Sequence, residues 1–437
     1  MKNYYVLSNG RVRRSANTLY IENKDGDKKP LPVEDVDSLY LFGEVDLNTR
    51  LLNFLSQKKI PLHVFNYYGF YSGSYYPREY LHSGFLLVHQ VACYQDEKRR
   101  LHVARELVRA SAHSLLRNLA YYERRKARPS DARDEEEAEP AGEVGLLALS
   151  TDTPSGVPTD AAAEAAVDAH LLAPPDPADF GNLADIIEDP EDADAATIFG
   201  AEVSEEAASA AEAGDNALGG VTGTETARSG ASASLAWLRA TIESLAALVD
   251  AQTDVNALRG VEGKIRERYY NAWRHIVSEE AWAFERRVRR PPDNEINALI
   301  SFGNGFLYTV CLSEIYRTQL TPTVSYLHEP GARRFSLALD LSEIFKPLIV
   351  DRAIFRLLNT GQMKPGAHFD KSLDGCYLSE AGKKLFLAAL EERLGATIKH
   401  RRLGRHVSYR HLIRLECYKL IRHLTHVEPY HAFRAWW

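Results

Sequence analysis

Ser336-Leu337-Ala338-Leu339-Asp340-Leu341-Ser342-Glu343-Ile344-Phe345-Lys346-Pro347 is the stretch on which the reading of this chain turns. Asp340 and Glu343 stand three residues apart, so on a helix their carboxylates share one face. Leu337, Leu339 and Leu341 bury the opposite side where the segment enters that helix. Upstream stand Gly260-Val261-Glu262-Gly263 and Tyr326-Leu327-His328-Glu329-Pro330-Gly331. Glu262, His328, Asp340 and Glu343 are the residue types that hold a hard divalent cation, with the imidazole shifting preference from Mg²⁺ toward Mn²⁺. Glu262 must return across more than sixty residues to meet the others, so the expectation concerns folding as much as chemistry.

Taken singly, each piece fits a plainer role. A Glu between glycines is commonly a surface residue, and a Leu-His-Glu-Pro turn is commonly a structural loop. What joins them is the chemistry of phosphodiesters, whose transition state needs positive charge that a carboxylate-bound cation supplies. Arg333, Arg334 and Lys346 lie close by in sequence, and Arg266 follows Glu262 by four; these are the candidate phosphate contacts.

Charge distribution points to the same kind of partner. The net charge of −7 hides an acidic segment: Asp131–Gly230 holds 25 Asp and Glu against Arg133 and Arg228. The remainder carries 51 basic and 35 acidic residues, a surplus that favours a polyanion, nucleic acid first. The acidic segment is rich in Ala, Gly, Pro, Ser and Thr, with Phe180 and Phe199 its only aromatics. Such a composition cannot bury enough apolar surface to offset the entropy of ordering, so residues 128–234 are expected to be a disordered insert. It reads either as a shield over a basic cleft or as a tolerated loop without a dedicated role.

Around this insert the chain divides by periodicity. Residues 1–85 are expected to form a β-rich domain used for packing or dimerisation. Tyr4–Leu7, Thr18–Ile21, Ser38–Phe42 and Leu62–Phe65 are its strands, and Asn48–Gln57 a short helix among them. Residues 86–127 begin a helical pattern, with Lys98, Arg99, Arg100, Arg105, Arg109 and Arg117 between the apolar positions, and residues 235–437 complete it. The tail alternates Arg401, Arg402, Arg405, Arg410, Arg414 and Arg422 with aromatics. That pattern suits nucleic acid or simply closes a helical core. Cys93, Cys311, Cys376 and Cys417 form no CxxC pair, and the first twenty residues have no apolar leader, so a cytoplasmic protein without a membrane span is expected.

The order of Gly-Val-Glu-Gly, Asn297 to Asn304, Leu-His-Glu-Pro-Gly, the Ser336 to Pro347 stretch and Val350-Asp351-Arg352 resembles the CRISPR-associated Cas-one family. The opening Tyr5-to-Tyr20 segment is similar to that family's first hairpin. The resemblance implies an α+β protein, an N-terminal β-rich domain followed by an all-helical catalytic domain. It further implies a metal-dependent endonuclease and integrase that inserts prespacer DNA into a CRISPR array by 3′-hydroxyl attack. Carried over residue by residue, the metal ligands fall at Glu262, His328 and Glu343. Asp340 is left as either a further ligand or a residue that orients one. The implied partners are double-stranded DNA, a second copy in a homodimer, and the small Cas-two protein. Competing readings are a catalytically silent nucleic-acid scaffold and a structure-specific repair nuclease sharing the same residues.

Overall fold

Short aromatic and β-branched runs build the first part of the chain, and their pleat decides what covers them. The structure, a computed structural model, describes residues 2–23, 27–77, 81, 83–127, 223–277, 282–289, 291–331, 335–372 and 375–436. All of these fall in one compact unit. The elements in order are β1 (Lys2–Val6), β2 (Gly10–Ser15), β3 (Thr18–Asn23), β4 (Lys28–Pro32), β5 (Val36–Leu41), β6 (Val45–Asp46), α1 (Thr49–Lys58), β7 (Leu62–Phe65) and β8 (Tyr71–Tyr75). One sheet runs β1-β5-β7-β8, parallel except for the last pair; the other runs β4-β3-β2-β6. Leu39 and Leu41 point into a small core between the sheets and α1, with Val6, Leu19, Leu51 and Phe54. Tyr40 and Phe42, one residue out of step, join the helical core instead. Both faces of this sheet are therefore buried, each buried apolar side chain contributing roughly 1.5–3 kcal/mol.

The helical part follows as α2 (Gly84–Gln95), α3 (Glu97–Ala127), α4 (Gly223–Ala247), α5 (Val255–Ile276), α6 (Glu295–Tyr316) and α7 (Ser336–Lys346). A π-helical turn (Pro347–Asp351) leads into α8 (Arg352–Asn359) and α9 (Pro365–His368), and then come β9 (Phe369–Ser372), β10 (Gly375–Leu378), α10 (Glu380–Gly395), β11 (Thr397–Lys399), β12 (His406–Ser408) and α11 (Tyr409–Leu424). The fold is α+β as expected, with two short antiparallel ribbons, β9–β10 and β11–β12, added to the helical part.

α6 is the axis. Its Asn294 cap accepts from the Asn297 backbone N–H at 2.9 Å, and it is buried along nearly all its length. Among the described residues it is the helix long and apolar enough to cross a membrane, yet 78% of that apolar window lies inside the fold. Phe302 and Phe306 meet Phe42 and Tyr40 of the sheet, with ring centroids 5.5 and 5.7 Å apart. Gly303 is where the π turn presses in: a Cβ there would stand 2.6 Å from the Val350 side chain. The turn itself has a local cause. Pro347 lacks the N–H that would close the helical bond to Glu343, and its ring crowds that carbonyl, so α7 widens instead of continuing.

The far boundary of the insert is revised, and the tail aromatics take the core-closing role that the sequence left as one of two readings. The stretch expected to be disordered, 128–234, lies outside the described residues only as far as 222; from Gly223 the chain is already helix α4, and Leu235 is fully buried. Ser232 Oγ donates to the Glu123 carbonyl on α3 at 3.4 Å, which shows how tertiary contact orders a segment that composition alone leaves loose. The tail closes the core. Tyr430 and Phe433 are buried, Phe433 stacks on Phe345 at 6.0 Å, and Glu416 accepts from the Phe433 backbone N–H at 3.1 Å.

Candidate metal centre and its ion-pair network

Each candidate ligand is delivered by a different element. Glu262 lies on α5, whose start is fixed by Asp254 accepting from the Ala257 N–H at 2.8 Å. The helix buries Leu258, Val261, Ile265 and Tyr269, so Glu262 sits at the edge of the buried stripe with 22% of its side chain exposed. Glu343 comes from α7 and is nearly enclosed. His328 comes from the loop before α7, which is tied at both ends. Arg100 donates to the Tyr326 carbonyl at 3.1 Å and to Glu329 at 2.6 Å, and Ser325 Oγ donates to the His328 carbonyl at 2.6 Å.

Asp340 holds that loop in place. Its carboxylate is wholly buried and accepts from the backbone N–H groups of Tyr326 at 2.7 Å, Leu327 at 3.0 Å and His328 at 3.0 Å. It also accepts from His328 Nδ1 at 2.8 Å. Four donors occupy its two oxygens. Asp340 thus orients the imidazole and sets its tautomer, leaving Nε2 as the nitrogen a ligand can reach. Burial works to lower the His328 pKa, but the Asp340 hydrogen bond and charge outweigh it, and the net shift is upward.

Glu262 and Glu343 meet on one cation. Arg266 Nε donates to Glu262 Oε1 at 3.2 Å while its Nη2 pairs with Glu343 Oε2. The same Nη2 donates to Ser111 Oγ on α3 at 3.1 Å and to the Glu343 carbonyl at 3.4 Å, the acceptor that Pro347 leaves without its helical donor. Lys346 Nζ pairs with the other Glu343 oxygen. Burial favours the neutral form of Glu343, yet Arg266, Lys346 and His328 hold its pKa down at about 2. The Arg266 guanidinium is itself pushed above its ordinary range: burial opposes this, and Glu343 and Glu262 prevail.

A fourth carboxylate, Asp351, closes the cluster from the π turn. It is 3% exposed, its Oδ2 has no hydrogen-bond partner among the described residues, and burial raises its pKa to about 7 against the pull of Arg266. Sequence reading placed Asp351 in a motif without giving it a part. The signal that could have found it is Pro347, four residues earlier, which forces the turn that aims it inward.

The structure thus joins Glu262 and Glu343 through Arg266, with Lys346 on Glu343, and sets His328 on Asp340 within electrostatic reach of Glu343. Among the described residues no three His, Cys, Asp or Glu side chains stand close enough to hold a metal ion as they are. The donor set nevertheless fits one: two carboxylates already sharing a cation, and an imidazole held by its far nitrogen. Of the candidate phosphate contacts, Arg266 and Lys346 are committed to these carboxylates, and Arg333 and Arg334 lie outside the described residues. Several arginines of α3 are also engaged: Arg99 donates to the carbonyls of His423 and Leu424, Arg105 to Gln252, and Arg109 pairs with Glu106 at 2.6 Å.

Comparison with known proteins follows this geometry. The model of a family described as CRISPR associated protein Cas1 matches residues 4–143 and 222–392 and passes over the centre of the acidic segment. A protein named CRISPR-associated endonuclease Cas1 3, from Thermodesulfovibrio yellowstonii, is 37% identical over 437 residues, covering 100% of both chains. A solved Cas1 protein from Thermotoga maritima is 32% identical and superposes with a TM-score of 0.64, over 99% of this chain and 100% of that one. A casposase bound to an integration product shares the fold at 15% identity, with a TM-score of 0.66 over 98% of this chain and 92% of that one.

Proposed function

This chain belongs to the CRISPR-associated Cas1 family, and from that premise we propose that it is a metal-dependent DNA endonuclease and integrase of CRISPR adaptation. Its substrates are double-stranded prespacer DNA and the CRISPR repeat, and its reaction joins a DNA 3′-hydroxyl to a repeat-edge phosphodiester. Glu262, Glu343 and His328 Nε2 are the ligands for Mg²⁺ or Mn²⁺. When bound, the ion supplies charge to the attacking and leaving oxygens of the phosphodiester.

The chain's own residues do the rest. Asp340 holds His328 through Nδ1, which leaves Nε2 as the nitrogen for the ion. Arg100 and Ser325 keep the loop from swinging when DNA enters. Lys346 is placed beside Glu343 to meet a phosphate oxygen, and Arg333 and Arg334, between His328 and α7 in sequence, are the backbone-gripping residues. The β-rich part, residues 1–85, forms the homodimer contact, and a Cas2 protein is the further partner.

The observation that carries this reading is the pairing of a carboxylate-fixed imidazole with two carboxylates that share one cation. The test is strand transfer of a 3′-hydroxyl oligonucleotide into repeat DNA with Mn²⁺. Loss of about a hundredfold or more is expected in His328→Ala. Equal activity in both proteins would leave only a DNA-binding scaffold.

A further inference from the structure

Two adjacent carboxylates, one nearly enclosed and one half-buried, repel unless positive charge lies between them, and in this fold the charge is already there. Arg266 reaches both Glu262 and Glu343 with one guanidinium and is anchored by Ser111 behind. The oxygens it occupies, Glu262 Oε1 and Glu343 Oε2, belong to the carboxylates a divalent ion would need. A dication at those oxygens and a guanidinium on the same atoms repel strongly in a buried site. One of them must yield.

The structure also supplies somewhere for the guanidinium to go. Asp351 ends the π turn, which Asn118 ties to α5 next to Arg266 by donating to the Pro347 carbonyl at 2.8 Å and to the Tyr269 hydroxyl at 3.1 Å. Asp351 and Arg266 lie within electrostatic reach of each other. Asp351 Oδ2 is buried with no hydrogen-bond partner among the described residues, an arrangement that costs free energy unless something fills it.

We propose that Arg266 is a resident counter-cation that holds the Glu262 and Glu343 oxygens until a divalent ion takes them, with Asp351 as the acceptor that receives the displaced guanidinium. This rests on the metal site proposed above and adds that cation binding is an exchange. The metal-free protein keeps its ligands adjacent, and the affinity for the ion is lower than the bare ligand set would give.

The alternative is that Arg266 stays put and supports the ligands, in which case losing it weakens metal binding. Calorimetric titration with MnCl₂ alone separates the two. In Arg266→Gln, Mn²⁺ is expected to bind about tenfold more tightly than in wild type. Its unfolding midpoint in EDTA is expected to fall, and Mn²⁺ to raise that midpoint by more than it does in wild type. Equal or weaker Mn²⁺ affinity in Arg266→Gln overturns the proposal. Asp351→Asn gives an independent reading should the first variant fail to fold: Mn²⁺ binding several-fold weaker than wild type supports the exchange, and unchanged or tighter binding removes Asp351 from it. Binding in wild type that disappears in His328→Ala assigns the ion to this site. Absence of Mn²⁺ binding in wild type and Arg266→Gln alike would sink the metal site itself, whereas equal binding in the two sinks only the exchange.

Discussion

At the seam where the sheet, α6, α10 and α11 meet, Arg317 donates to Asp37 at 2.7 Å, Arg410 to Glu391 at 2.6 Å and Arg414 to Glu314 at 2.7 Å. Three carboxylates there meet three arginines. Between α5, α7 and the π turn, Glu262, Glu343 and Asp351 meet Arg266 and Lys346 as the permanent cations among the described residues, and Asp340 is held by His328 and three backbone N–H groups. The materials are alike and the balance differs. The seam is neutral as built, while the second cluster has more carboxylates than permanent cations; there Asp340 raises the His328 pKa, and burial raises that of Asp351. A balanced cluster joins layers. An unbalanced one with partly open edges has room for a cation from outside.

The comparison breaks most sharply on activity. Glu343→Gln is expected to lower Mn²⁺-dependent strand transfer by about a hundredfold or more per folded molecule. Because it also takes the buried partner from Arg266 and Lys346, it is expected to lower the metal-free unfolding midpoint. A large loss of stability with activity retained per folded molecule would put this cluster in the same class as the seam. Asp340→Asn keeps shape but weakens the hold on His328, so a smaller loss of about 10–100-fold in Mn²⁺ affinity or activity is expected.

The seam should respond in the opposite sense. Glu314→Ala leaves Arg414 without its buried partner and is expected to cost about 3–5 kcal/mol in urea unfolding. The folded fraction should keep its activity per molecule.

Two pH effects sharpen the contrast further. His63 is buried between Ser74 and Ser313 at 2.6 and 2.7 Å, and burial first, then Arg317, pushes its pKa down to about 3. A base with a depressed folded pKa contributes stability above its unfolded value, lost as pH falls from about 6.5 toward 3. His63→Gln should flatten that slope in urea titrations. Asp351 runs the other way. Its raised pKa contributes stability at low pH that is lost as pH rises through about 7. Asp351→Asn is therefore expected to gain on metal-free wild type as pH goes from 5 to 8, the smallest effect of the set; a shrinking difference would contradict the burial of that carboxylate as a charge in deficit.

Much of the fold was legible because local pattern and tertiary outcome agree. The run Ser38–Phe42 alternates, and each face finds a core: Leu39 and Leu41 in one, Tyr40 and Phe42 in the other. The Asn297 to Asn304 motif was visible as a resemblance, but its work is mechanical. Asn297 accepts from Arg287 at 2.9 Å and from the Val288 N–H at 3.1 Å, and Gly303 makes room for Val350. The arginines of α3 stand between apolar positions in the sequence, which does not show which carbonyls other elements will bring to them. The same holds at the start of α4, where contact with α3 orders residues that composition left unassigned.

Sequence alone determined the family resemblance, the α+β order of elements, the acidic segment set in a basic chain, and the residues from which a metal centre could be drawn. It did so because those properties reside in residue type and spacing. Tertiary structure decided what spacing cannot express. Asp340 and Glu343 are three residues apart on one helix, yet the first turns to the His328 loop and the second to α5. Only a fold that brings both α5 and the loop against α7 makes one an anchor and the other a candidate ligand, because the partner of a buried charge is set by the elements packed around it.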